Sequence, residues 1–540
     1  MRVDDASGEV LRGTASGGSQ MRAQSAAAVI RRGAVTAPDR VALTGDGISL
    51  TYAELEDRTT RLASALIAQG HHPGERIAVW SGTSVRYVEL YLGAAKAGLV
   101  IAPINNLFRK DEALWIIGDA RPGALFYDDS VAGLLDDELA GHFAPGRVIA
   151  MGMNRITAAA TYADVVRAGS AAALALPAGH QPWVIGYTSG TTGRPKGAIL
   201  SHRAAWSGML LQAHTMRLER FSQRLYTANM SFVASAIAGI FPAFAVHGTV
   251  HLAAVTGADE LVSIAQRLSV SALGLPGPWF ADFADVVERD PRHLDGVTAV
   301  IHGGSAAPRD QAERLAGLIG DRLILSWGFT ENCGVPAAAT APGDWSDQGV
   351  RSVATSVGRP CLDTAVRVVE QDGGDLPHDG ASVGELIVQS PSLFDGYFGN
   401  EDATASAFAD GWYRTGDLGT IDEDGFVRIV DRRSDLIVSG GMNIYPSELE
   451  RVISELPGVA EVVVIGTPHE RWGRTPVAVV RRSPDAAIDQ PTVIRHCQER
   501  LASYKKPTRV VFVADFPRTA SGKIRRPELE AVLRTADSAD

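Results

Sequence analysis

"YTSGTTGRPKG", residues 187–197, gathers four small hydroxyl residues and three glycines around one lysine. Glycines let a ligand approach the backbone closely, and the hydroxyls and amides donate hydrogen bonds, a composition suited to phosphate oxygens. It is not a Walker A loop, which requires G-x-x-x-x-G-K-[ST]. Here Gly190 and Gly193 are followed by Arg194, Pro195 and Lys196, then Gly197. "WVIGY" (183–187) before the loop reads as a strand, and "SHRAAWSGM" (201–209) after it as a helix capped by Ser201. On its own the run reads equally well as a plain Gly/Thr surface loop.

Working outward, strand and helix alternate. "TYAELEDRTTRLASALIAQG" has helical apolar spacing after Thr51, a good N-cap, and stops at Gly70. "RIAVWS" predicts a buried strand, "SVRYVELYLGAAKAG" a helix and "LVIAPIN" another strand. Strand–helix pairs are expected again at 124–136, 184–214, 248–268 and 298–320. Such alternation predicts an α/β fold: a large N-terminal domain of largely parallel sheets flanked by helices. After about residue 355 the texture changes to short strands and turns, predicting a small β-subdomain. A further break follows at 432–435. Beyond it a compact α+β unit is expected, with helices at 447–456 and 491–502 and strands at 460–466, 476–482 and 508–513.

The 540 residues exceed what one hydrophobic core supports, and a net charge of −11 implies no basic face for nucleic acid. No apolar run reaches the ~18 residues needed to span a bilayer. The polar, Gly/Ser-rich first 24 residues predict a disordered leader, with Met21 an alternative start. Cys333, Cys361 and Cys497 lack metal-ligand spacing, so free thiols in a reducing cytoplasm are expected. Only six of the 51 basic residues are lysine, and four of these, Lys196, Lys505, Lys506 and Lys523, lie in segments that carry chemistry.

The opening string resembles the signature of the adenylate-forming superfamily, which includes acyl-CoA synthetases. The likeness continues in order through "GGSAAP" (303–308), "WGFTE" (327–331), "YRTGDLG" (413–419), "DRRSDLIVSGGMNIYPSELE" (431–450) and "PRTASGKIRR" (517–526). It implies activation of a carboxylic acid by ATP to an acyl-adenylate with release of pyrophosphate, then transfer to CoA. Because carboxylate and triphosphate repel, such catalysis is mostly positioning and charge neutralisation. It also implies a domain plan: leader 1–24, adenylation domain 25–431, hinge 432–435 centred on Ser434, small mobile C-terminal domain 436–534 and tail 535–540.

By this resemblance Thr188, Ser189, Gly190, Thr191, Thr192 and Lys196 hold the triphosphate, with Thr188 also catalytic. Glu331 is the Mg²⁺ ligand, a hard oxygen for a hard ion, and Thr330 lies near the α-phosphate. Asp417 accepts the ribose hydroxyls, with Arg432 a second ribose contact. Gly304, Ser305, Ala306, Trp327 and Gly328 border the adenine. Relatives usually have tyrosine at 327; tryptophan keeps a stacking face and loses the hydroxyl. Lys523 neutralises charge during adenylation. Rotation of the small domain then withdraws it and brings Ser439, Gly440 and Gly441 to the pantetheine tunnel. Relatives carry Asp or Lys where this chain has Ser434, but a hinge needs backbone freedom rather than charge. Lys505 and Lys506 in "SYKKP" resemble contacts to the phosphates of CoA.

The acyl pocket is the least legible part. "NMSFVASAIAGIFPAFAV" (229–246) holds no charged residue and is expected to border the acid, with Phe232, Val233 and His302, and with Trp206, Trp279 and Cys333 as further lining. Amino-acid-activating relatives have aspartate at position 233, and many acyl- and aryl-CoA ligases histidine. Valine there disfavours a free α-amino acid, whose ammonium would be buried unpaired. Three readings follow. The first is an acid–CoA ligase for a neutral fatty, aryl or alicyclic acid. The second is an adenylate former with another acceptor, a carrier-protein thiol in trans or an amine, including nitrite activation for diazotisation of an aromatic amine. The third is a non-catalytic nucleotide-binding relic.

Overall fold

The structure, a computed structural model, describes residues 25–153, 160–188, 195–305, 307, 309–347, 353–439, 442–469, 472–484, 486–518, 524–526, 528–530 and 533. The leader and tail expected from the sequence lie outside these residues.

Two large sheets form the N-terminal domain. A seven-stranded sheet runs Ala160–Thr161, Val148–Ala150, Ala124–Tyr127, Arg76–Trp80, Val100–Ile104, Pro182–Thr188 and Lys196–Ser201. It is parallel except at its last pair. A nine-stranded sheet carries Ala299–His302, Ala272–Gly274, Gln223–Tyr226 and Thr249–Leu252 as parallel neighbours in its middle, with antiparallel pairs at both edges. Helices Tyr52–Ala68, Val85–Ala97 and His202–Thr215 share one apolar cluster with inward residues of both sheets. Val85–Ala97 is buried almost all round, as a helix between two sheets must be. Helix Tyr52–Ala68 starts after the Thr51 cap, closed as a capping box: Glu54 N–H donates to Thr51 Oγ1 at 3.2 Å and Thr51 N–H to Glu54 Oε2 at 2.8 Å.

Strand alternation sorts the nine-stranded sheet into two faces. Leu225, Leu273, Val300 and Leu325 pack on helices Ala258–Arg267, Phe280–Arg289 and Arg309–Ile319. Tyr226, Ala272, Ala299 and Ile324 face the inner cluster. The expected strand–helix pair at 124–136 forms only its strand. Gly133 falls in a 3-10 turn, and Asp136 caps a separate four-residue helix, Asp137–Ala140, by accepting from Leu139 N–H at 3.0 Å.

A five-stranded antiparallel sheet contains Ala365–Val369, Gly384–Gln389, Trp412–Ile421 and Val427–Arg432. The small C-terminal α+β domain has helices Pro446–Ser454 and Gln490–Arg500 on a sheet built from Val459–His469, Gly473–Arg482 and Arg509–Val513, with its own apolar cluster. No helix among the described residues is long and apolar enough to cross a membrane.

Candidate active site

The opening loop joins two antiparallel strands rather than leading from a strand straight to a helix. Thr188 stands opposite Lys196 and Tyr187 opposite Gly197. Register across the pair therefore fixes both ends of the loop. Ser201 caps the following helix, accepting from Ala204 N–H at 3.4 Å. Ser189, Gly190, Thr191 and Thr192 lie outside the described residues. The second strand is held from its other side by residues 394–398: Phe398 N–H donates to Gly197 O at 2.7 Å and Ile199 N–H to Gly396 O at 2.9 Å. This places the Lys196 ammonium 5.3 Å from the ring centroid of Tyr397.

Tyr397 also reaches Glu331. Its hydroxyl donates to Glu331 Oε1 at 2.9 Å, while Phe394 N–H donates to the Glu331 backbone oxygen at 2.7 Å. Glu331 is 8% exposed, in a 3-10 turn Thr330–Asn332 that ends on Cys333 at φ 54°. Burial, and next the Glu331 charge, push the Tyr397 and Tyr413 hydroxyls above their ordinary pKa, so both stay neutral donors. One carboxylate oxygen is thus held in place on a rigid turn. Nothing in "FDGYFGN" marks Tyr397 from sequence; only the fold brings it beside Glu331 and Lys196.

An aromatic chain links this corner to the next. Tyr397 packs on Phe394, Phe394 on Tyr413, Tyr413 on Phe329 and Phe329 on Trp327, at centroid distances of 4.9–5.5 Å. The Trp327 indole N–H donates to Asp417 Oδ2 at 2.8 Å. Arg432, directly opposite Asp417 in the antiparallel pair, sets its Nε 2.6 Å from Asp417 Oδ1. Asp417 is 3% exposed, and both carboxylate oxygens have strong partners. The tryptophan that replaces a hydroxyl supplies a donor of its own.

Gly304 and Ser305 lie exposed after the strand Ala299–His302, Gly304 in a left-handed conformation at φ 82°. Ala306 lies outside the described residues. Gly328 lets its strand meet a neighbour closely, since a Cβ there would stand 2.6 Å from Val335 O. His302 is 3% exposed, with Nδ1 and Nε2 each 3.0 Å from a carbonyl, of Leu275 and of Ser305. Burial lowers its pKa, so the neutral ring donates to one carbonyl and its contacts hold the turn.

Phe232 is the half-buried N-cap of helix Val233–Gly239, which Val233 opens. The charge-free run 229–246 forms two short helices, the second carrying Pro242 in its first turn. Trp206 and Cys333 belong to the inner cluster, and Trp279 packs on the outer one. All three cysteines are free.

Ser434 sits on an exposed turn, donating to Asp435 Oδ1 at 3.1 Å. Ser439 ends the strand Ile437–Ser439; Gly440, Gly441 and Lys523 lie outside the described residues. Two residues beyond Lys523, Arg525 Nη2 reaches Glu112 of the large domain at 3.1 Å. Lys505 pairs with Glu448 at 2.7 Å, and Lys506 donates to Ser503 O at 3.3 Å.

Comparison with known proteins covers both domains. The AMP-binding enzyme profile matches residues 30–398, and the AMP-binding enzyme C-terminal domain profile matches 448–523. The long-chain-fatty-acid–CoA ligase FadD13 of Mycobacterium tuberculosis (strain ATCC 25618 / H37Rv) is 31% identical over 498 residues, covering 91% of this chain and 94% of that protein. The feruloyl-CoA synthase of an Amycolatopsis species is 32% identical over 501 residues, covering 92% and 97%. Among solved structures, o-succinylbenzoate CoA synthetase (MenE) of Bacillus subtilis, in complex with its acyl-adenylate intermediate, superposes with a TM-score of 0.80 at 26% identity. That match covers 93% of this chain and 97% of the other.

Proposed function

The chain belongs to the AMP-binding enzyme family and is an AMP-forming acid–CoA ligase, and from that premise we propose how its own residues divide the work. Its class of acid is fatty, aryl or alicyclic. The observation that carries the division of labour is Asp417, whose two oxygens are matched by Trp327 and Arg432. That carboxylate takes the ribose hydroxyls of ATP, and Trp327 lies along the adenine. Lys196 and the loop before it hold the β- and γ-phosphates. Each hydrogen bond to a charged phosphate oxygen contributes roughly 1.5–3 kcal/mol.

The residues fit Mg²⁺. Glu331 offers one hard carboxylate steadied by Tyr397, and no group of three metal-ligating side chains exists among the described residues. One carboxylate completed by phosphate oxygens and water is how Mg²⁺ is commonly held. When bound, the ion neutralises charge on the triphosphate. Lys523 sits beside the reacting carboxylate during adenylation; what supports this is that Arg525, two residues on, pairs with Glu112 of the large domain. Turning about Ser434 then brings Ser439 and its neighbours to the acyl-adenylate for attack by the CoA thiol.

The test is pyrophosphate release with a panel of fatty, aryl and alicyclic acids, read with CoA present and followed by mass analysis. Pyrophosphate with an acyl-CoA product is expected. Acyl-AMP that CoA leaves untouched points instead to a carrier thiol or an amine as acceptor. Silence across the panel, with ATP still binding, would leave the relic reading.

A further inference from the structure

Arg224 is a buried cation with an unmet hydrogen-bonding demand in the region expected to hold the acid. It lies in the strand Gln223–Tyr226, where Leu225 faces the outer core and Tyr226 the inner one. The residue is 5% exposed. Its Nε donates to the carbonyl of Gly239, at the end of helix Val233–Gly239, at 3.3 Å. Its Nη1 is buried with no hydrogen-bond partner, and the group whose charge acts on the guanidinium is the Tyr226 hydroxyl rather than a carboxylate. Its Nη2 lies 3.8 Å from where a Cβ on Gly274 would stand, and among the described residues no other atom beyond Gly274's chain neighbours comes within 4 Å of that point. Gly274 and Ile301, paired in register on neighbouring strands, both keep partial exposure although they lie inside the sheet. Gly239 lets the helix approach closely, since a Cβ there would meet the Tyr226 ring at 2.4 Å. Helix, strand ends and guanidinium therefore surround a space that is open over Gly274.

Burial lowers the Arg224 pKa to about 10, which leaves the group charged at neutral pH. A buried donor without a partner carries a desolvation cost that an acceptor relieves. A plain hydrocarbon tail offers no such acceptor.

We propose that Arg224 is a specificity-determining residue that receives an oxygen acceptor on the tail of the activated acid, a carbonyl or a second carboxylate. This rests on the acid–CoA ligase reading and narrows it: the preferred acid carries an oxygen remote from the carboxyl that reacts.

The experiment measures kcat/KM for pyrophosphate release with three acids of matched length: unsubstituted, keto-substituted and dicarboxylic. The wild-type protein is compared with Arg224→Met and Arg224→Lys. The wild type is expected to favour an oxygen-bearing acid by roughly tenfold to a hundredfold, the worth of one hydrogen bond to a charged group. Which of the two it favours identifies the oxygen. Arg224→Met should bring the ratio close to one, and Arg224→Lys should restore part of it. A wild type that prefers the unsubstituted acid overturns the proposal. So does Arg224→Met lowering all three acids in equal proportion, the mark of a purely structural arginine. Should Arg224→Met fail to bind ATP or to melt cooperatively, the wild-type ratio and Arg224→Lys decide alone. Pyrophosphate release without preference defeats only this inference, whereas no release with any acid defeats the ligase reading as well.

Discussion

Asp417 and Arg224 are both charged side chains on strands and both within 5% of complete burial, yet their surroundings are opposite. Asp417 has a cation on one oxygen and an indole N–H on the other. Arg224 has one carbonyl and an idle Nη1. On the assignment proposed above, the nucleotide side is assembled from the protein's own groups, and ATP would enter by exchanging into a network that already exists. The acyl side has a surplus donor. If both assignments hold, the difference teaches where specificity resides: the ATP site would be complete in itself, whereas the acyl site would be completed by the acid.

The comparison can be pressed at three points on the nucleotide side. The largest effect is expected from Lys523→Ala, which should lower adenylation roughly 10²–10³-fold while leaving thioester formation from a supplied acyl-adenylate nearly intact. Equal loss in both half-reactions, with the fold preserved, would remove Lys523 from its assigned role. Asp417→Ala comes next. It strips the partner from Arg432 and Trp327, and KM for ATP should rise about tenfold to a hundredfold with KM for the acid little changed. If the acid KM moved equally, the two sides would not be separable. Tyr397→Phe removes one hydrogen bond to Glu331, and the Mg²⁺ concentration at half-maximal rate should rise by about tenfold. An unchanged Mg²⁺ dependence would make Tyr397 a packing residue.

How much was legible follows the same divide. Strands and helices around the first sheet were readable because apolar period and caps agreed, as at Thr51. The C-terminal elements fell within about three residues of their expected bounds, the strand Val459–His469 running longest past its forecast. The residues proposed for the nucleotide could be named from sequence because each motif is local in the chain. The strand Lys196–Ser201 was passed over, since a six-residue run between a loop and a helix leaves little period to detect. Tyr397 and Arg224 were invisible for a different reason. Each matters through what the fold brings beside it: Tyr397 lies 66 positions from Glu331, and Arg224 lies 15 from Gly239 across a turn. In "QRLYTAN" an arginine after a glutamine reads as the solvated start of a strand.

A third buried polar group tests why Arg224, specifically, is left needing an acceptor. His202 is fully buried, stacked on Trp183 with ring planes 12° apart, and neither ring nitrogen has a hydrogen-bond partner. Burial lowers its pKa from 6.5 to about 3, so it meets the same difficulty by giving up its proton. Arginine cannot do this near neutral pH, and its charge must be answered from outside. The histidine's solution leaves a trace in stability. Its folded pKa is depressed, so the stability it contributes is present above the unfolded value of 6.5 and is lost as pH falls from there towards 3. Between pH 7 and pH 6 the loss should be about 0.7 kcal/mol. His202→Phe keeps the stacking face and removes the titration. Its unfolding free energy, measured by denaturant titration, should therefore fall less than the wild type's over that interval. Equal slopes would mean that His202 takes up its proton alike in the folded and the unfolded chain, and that burial at this depth does not by itself depress its pKa.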